Sequence, residues 1–241
     1  MSKAKICLWG LALSMLLTAF GSVRPTLSRQ TEAQNPKSSQ KQKEHGKLYK
    51  QYGRKEKLPD LASKASGDFS VTEGVGQRAF RPGAARGSLL DRLACNADAV
   101  IIGTVGSKAS QLTEDENFIF TDYELHVQEV LKDNPTAPLL AGNNITLTRP
   151  GGIVQLNGVN VTALDEEYLP LDFNGRYLLF LRFIPATGSY QAVGGAASLQ
   201  LKGRKTIKLT QQSLPPELET GADAASLLNS VRSSLANPCA Q

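Results

Sequence analysis

Ile119-Phe120-Thr121-Asp122-Tyr123-Glu124-Leu125-His126-Val127-Gln128 alternates: Ile119, Tyr123, Leu125 and Val127 are apolar, and Asp122, Glu124, His126 and Gln128 between them are polar. A period of two puts one face of a strand in a core and the other in water. This segment therefore predicts a half-buried strand with a water-facing polar row. Upstream, Ala99-Val100-Ile101-Ile102-Gly103-Thr104-Val105 is a β-branched run that reads as a strand covered on both faces.

Downstream, Asn134-Pro135 opens a loop that runs to Asn143, and Ile145 and Leu147 then alternate with Thr146 and Thr148. Arg149-Pro150-Gly151-Gly152 is expected to stop pairing, because proline lacks the donor and two glycines allow a reversal. Ile153 to Val161 reads as a hairpin turning at Asn157-Gly158, and Tyr177 to Leu181 as a central strand. Tyr190 to Val193 follows a turn, and a weak hairpin surrounds Gly203. Ser88 can cap a short helix bearing Leu89, Leu90, Leu93 and Ala94, and a second helix covers Ala222 to Leu235. The expected fold class is mainly β: a small OB-like barrel or sandwich with one short helix before it and one after it. Residues 89–241 form this domain.

The first third is of another kind. Met1 to Lys5 is basic, and Ile6 to Gly21 is apolar apart from Ser14 and Thr18, which is the order of a secretory signal peptide. Cleavage is expected after Gly21, and the apolar run falls short of the roughly 20 residues that span a bilayer. Residues 22–88 lack a sustained period and are expected to be a disordered arm. The arm has 14 basic and 6 acidic side chains, a net +8, while the chain as a whole is +5. With Lys3 and Lys5 counted apart, the domain after Ser88 is left at −5. Positive charge is thus carried by the arm, which suits an anionic surface outside the cytoplasm or solvation of a linker.

Removal of Cys7 with the leader leaves Cys95 and Cys239, natural disulfide partners in an exported chain. Such a bridge would close nearly the whole domain into one loop.

Ala97 to Val105, Thr121 to Lys132, Arg149 to Gly152 and Gly175 to Leu181, in that order, resemble a family of exported bacterial proteins and, more distantly, the netrin and tissue-inhibitor-of-metalloproteinase (NTR-like) type of OB-fold barrel. The resemblance covers about Ala97 to Gly195 and consists of strand cores and turns, so it implies a fold rather than an activity. Inhibition in that family needs a cysteine at the free amino terminus. Cys95 has the arm before it, and the mechanism does not carry over unless the arm is cut away. Asp133 stands where many family members have glycine.

Groups for catalysis are scarce. His45 lies in the arm, and His126 is on the wet side of its strand with no set of ligands around it. No Gly-x-Ser-x-Gly elbow occurs, and the acidic triplets Glu114 to Glu116 and Asp165 to Glu167 read as solvated turns rather than calcium loops. No catalytic residue, metal or cofactor is expected. Nucleic acid is an unsuitable partner for an exported, acidic barrel. The candidate binding surface is Asp122, Glu124, His126, Gln128 and Arg149, facing a protein or an envelope polymer. The chain is expected to be a secreted or periplasmic binding or structural module, not an enzyme. The alternative is a secreted enzyme regulator using the Arg149 to Gly152 loop, or a weak hydrolase.

Overall fold

The computed structural model describes residues 43–49, 55–73 and 87–236, all within the second of two compact units, Gln34–Gln241. Residues 1–21, expected as a leader, the rest of the expected arm and Cys239 lie outside the described residues.

The chain is mainly β. A helical turn at 43–48 (α1) and helix α2 (Leu58–Lys64) precede strand β1 (Phe69–Glu73). Helix α3 (Leu89–Asn96) leads into β2 (Ala99–Leu112), β3 (Ile119–Lys132) and β4 (Asn144–Pro150). The hairpin β5 (Gly152–Leu156) and β6 (Val159–Asp165) follows, then β7 (Arg176–Ile184), β8 (Ser189–Ala192), β9 (Ser198–Lys202), β10 (Lys205–Lys208) and helix α4 (Ala224–Ala236).

The larger sheet runs β10-β9-β7-β2-β3-β4-β8, and β8 pairs back with β7. Strands β2, β3, β4, β8 and β7 thus form a closed ring of pairings, in which β8 lies parallel to β4 and antiparallel to β7. Parity along the strands decides what the ring encloses. Ile101, Val105, Tyr123, Leu125, Val127, Leu147, Tyr177, Leu179 and Leu181 fill its interior. The opposite residues of β2 and β7, including Val100, Ile102, Leu178 and Phe180, pack outward under α3 and α4. Both faces of Tyr177 to Leu181 are therefore buried, as its uninterrupted apolar run predicts.

Ser88 caps α3 within a full capping box, its hydroxyl accepting from the Asp91 backbone N–H while the Asp91 carboxylate accepts from the Ser88 N–H. The hairpin at Asn157-Gly158 has both residues at positive φ, 51° and 83°, the mirror-image turn that matches strand twist. β4 does not end before the proline as expected: Pro150 still faces Phe120, and the chain reverses at Gly151. Gly152, at φ 141°, is required at the crossing, because a Cβ there would collide with the hydroxyls of Thr121 and Ser110.

The expected disordered arm of 22–88 is corrected in two places. β1 pairs in parallel with β6, Phe69 opposite Val161 through Glu73 opposite Asp165. Leu58, Ala62 and Val71 join Tyr49, Phe118, Phe120, Val161 and Ala163 in a third apolar cluster outside the ring. Each stretch has too few apolar residues to order itself, but a preformed sheet supplies the missing surface. A second correction concerns Asp165, read as part of a solvated turn: it is buried, and one carboxylate oxygen accepts from the Glu167 N–H at 2.7 Å.

Candidate functional site

The polar row of β3 faces water as its period demands: Glu124, His126 and Gln128 are exposed. Each is tied to a neighbouring strand. Glu124 accepts from Asn144 Nδ2 at 2.8 Å and from Ser107 Oγ at 2.9 Å. His126 Nδ1 lies 3.1 Å from Asn144 Oδ1, and Gln128 accepts from Arg176 Nε at 2.9 Å. These cross-strand bonds hold the side chains in a fixed pattern on a rigid sheet.

At the end of the row, Asp122 is half-buried because α1 lies on it. His45, fully buried, places Nδ1 3.1 Å from Asp122 Oδ1, a contact of ion-pair length that is not aligned as a hydrogen bond. Its Nε2 lies 2.9 Å from Ser189 Oγ and 3.0 Å from Thr187 Oγ1, and those two hydroxyls also bond each other. The imidazole stands edge-on to Phe120, with centroids 5.6 Å apart. One turn on, Tyr49 stacks on Phe120, and its hydroxyl lies 3.1 Å from Thr148 Oγ1. Burial raises the Tyr49 phenol well above its ordinary value, Thr148 opposing the shift.

Arg149 departs from the expected surface. Asp122, Glu124, His126 and Gln128 share the outer face, whereas Arg149 pairs with Thr121 and points to the inner side. It is 1% exposed. The cause is parity: Ile145, Leu147 and Arg149 are alternate residues of one strand and must share a face. Its guanidinium carbon lies 5.5 Å from the centre of the Tyr168 ring. Burial lowers its pKa, against the electrostatic influence of Tyr123, Tyr168, Tyr49 and Tyr177. Burial likewise pushes Tyr168 and Tyr177 up to about 12.

The sequence reading brought together four of the five surface residues and missed His45, Tyr49, Thr187 and Ser189. His45 and Ser189 are 144 positions apart, beyond the reach of any local period. For Arg149 the signal was present in the alternation of β4.

Among the described residues, no group of three or more His, Cys, Asp or Glu could hold a metal ion, and no helix is long and apolar enough to cross a membrane. Comparison with protein-family models and with the curated proteins finds no match to this chain.

Proposed function

We propose that the chain is an exported binding module of the cell envelope or extracellular space, built on a small barrel of the OB type, and not an enzyme. The five-strand ring with β4 and β8 parallel supports the barrel. The leader-like residues 1–21 support export. The observation that carries the binding reading is that the outer face of β3 and β4 already holds a short peptide segment, residues 43–49, through His45 on Asp122 and Tyr49 on Thr148. A rigid strip of Asp122, Glu124, His126 and Gln128 beside that segment suits a protein or envelope polymer with matching polar groups. The basic arm adds affinity for an anionic surface.

Asp122, His45 and Ser189 also favour a second reading, a weak hydrolase, because a carboxylate, an imidazole and a hydroxyl in series are the parts of a nucleophilic triad. Two features oppose it. Ser189 and His45 are both fully buried, and the Asp122 contact is misaligned. Moving α1 aside to admit a substrate would carry the base away with it.

The test uses the full mature chain with His45→Ala, which weakens hold on its own segment, and a fluorescent peptide of residues 40–52 added in trans. Saturable binding that is stronger than to the wild-type chain, and lost on adding Asp122→Asn, is the expected result. An absence of saturable binding, or binding indifferent to Asp122→Asn, would sink the reading.

A further inference from the structure

We propose that Arg149 is the centre of a buried site for one small monovalent anion, a halide or a carboxylate group. This goes beyond the outer-face reading and stands without it. Arg149 is 1% exposed, yet its Nε, Nη1 and Nη2 have no hydrogen-bond partner among the described residues. A guanidinium keeps its charge in proteins and offers five donors in a planar fork. Placing such a charge in a protein interior without acceptors is among the costliest arrangements a fold can contain, and an anion removes both the charge and the unmet donors.

The surroundings are made for such a guest. Four tyrosines, Tyr49, Tyr123, Tyr168 and Tyr177, exert their field on the guanidinium. Three of the hydroxyls are engaged elsewhere: Tyr123 accepts from the Leu171 N–H, Tyr177 from the Asp172 N–H, and Tyr49 contacts Thr148 Oγ1. Of the two acids near Tyr168, Asp165 accepts from the Glu167 N–H through one oxygen, and Glu167 accepts from Gln212 Nε2 at 2.6 Å. A cleft of about 60 Å³, lined by Tyr49, Thr148, Pro150, Tyr168 and Gln191 but not by Arg149 itself, lies on the other side of the strand. Thr148 and Pro150 stand on the opposite face of β4 from Arg149, and Tyr168 alone joins the two, lining the cleft and meeting the guanidinium face. A carboxylate would meet the fork with two parallel bonds, a halide with converging ones.

The experiment has two readouts on the full mature chain. Crystals soaked in bromide should show an anomalous peak in contact with the Arg149 guanidinium. In thermal melts at constant ionic strength, replacing fluoride by bromide or by formate should raise the Tm of the wild-type chain in step with the logarithm of anion concentration. Arg149→Met should be insensitive to the exchange. Formate acting where bromide does not identifies a carboxylate site, and equal action identifies a general small-anion site. Should Arg149→Met fail to fold, the bromide and formate soaks of the wild type decide alone. A map with no density on the guanidinium after separate soaks in bromide and in formate, or the same anion response in Arg149→Met as in the wild type, overturns the proposal.

Discussion

Replacing His45 by alanine should loosen one segment of the molecule and leave the ring of strands intact. The imidazole gives up its contacts to Ser189 and Thr187, each about 1 kcal/mol net, and an edge-on contact with Phe120 of about 0.5–1.5 kcal/mol. The half-buried Asp122 carboxylate loses its neighbour as well. The total is about 2–4 kcal/mol, but the loss cannot exceed the free energy with which residues 43–49 dock, because a segment already released has nothing further to lose. Neither the ring interior nor the layer under α3 and α4 includes a residue of 43–49. Hydrogen exchange read by mass spectrometry should therefore show faster exchange at the Tyr49 amide, which is bonded to the Gly46 carbonyl. Protection in β2 and β7 should be unchanged. Adding Asp122→Asn to His45→Ala should then cost less than Asp122→Asn alone. The reasoning fails if β2 and β7 lose protection to the same extent as Tyr49, or if the two substitutions add.

Two further outcomes follow from the α3 and α4 pair and from the cysteines. Hydrogen bonds from Ser234 and Ser88 hold the Asp91 carboxyl below its ordinary 3.8, so its contribution is present above that value and lost as pH falls through the depressed folded pKa. Acid unfolding of Asp91→Asn should show a shallower fall in that window; an unchanged profile would exclude Asp91 from the pH response. We also propose the Cys95–Cys239 bridge. α4 lies against α3, with Ser234 Oγ donating to Asp91 at 2.7 Å, so the chain leaves Ala236 close to the helix that carries Cys95. Intact mass of the native protein should rise by two hydrogens on reduction, with a loss of about 4–5 kcal/mol of stability. Two thiols in the native protein would refute it.

Local features of the fold were readable in the sequence, whereas partnerships across long separations were not. The alternation around Tyr123 and Leu125 fixed which side chains enter the interior, and Ser88, Asn157-Gly158 and Gly203 marked where elements begin or turn. Closure of the ring depends on β8 pairing with both β4 and β7, a choice of neighbours that four residues cannot encode by period. Residues 43–49 carry only Leu48 and Tyr49 as large apolar groups, and a glycine sits in the turn, so their order arises from the surface beneath them. Arg149 was misjudged because its charge outweighed its position. The alternation of Ile145 and Leu147 before it pointed inward.

Closing the ring uses up the pairing groups of its strands, and this limits where another chain could add a strand. Among the described residues, backbone edges remain at the two outer strands of the small sheet, β1 and β5, whereas β10 is covered by the chain at 220–223, the Thr206 N–H donating to the Ala222 carbonyl and the Gly221 N–H to the Thr206 carbonyl. β5 carries Ile153, 60% exposed, and its outer edge is met by a side chain at the Ile153 N–H, which donates to Ser110 Oγ. Self-association by strand addition, if provoked by crowding or heat, would start there and spare the ring of strands.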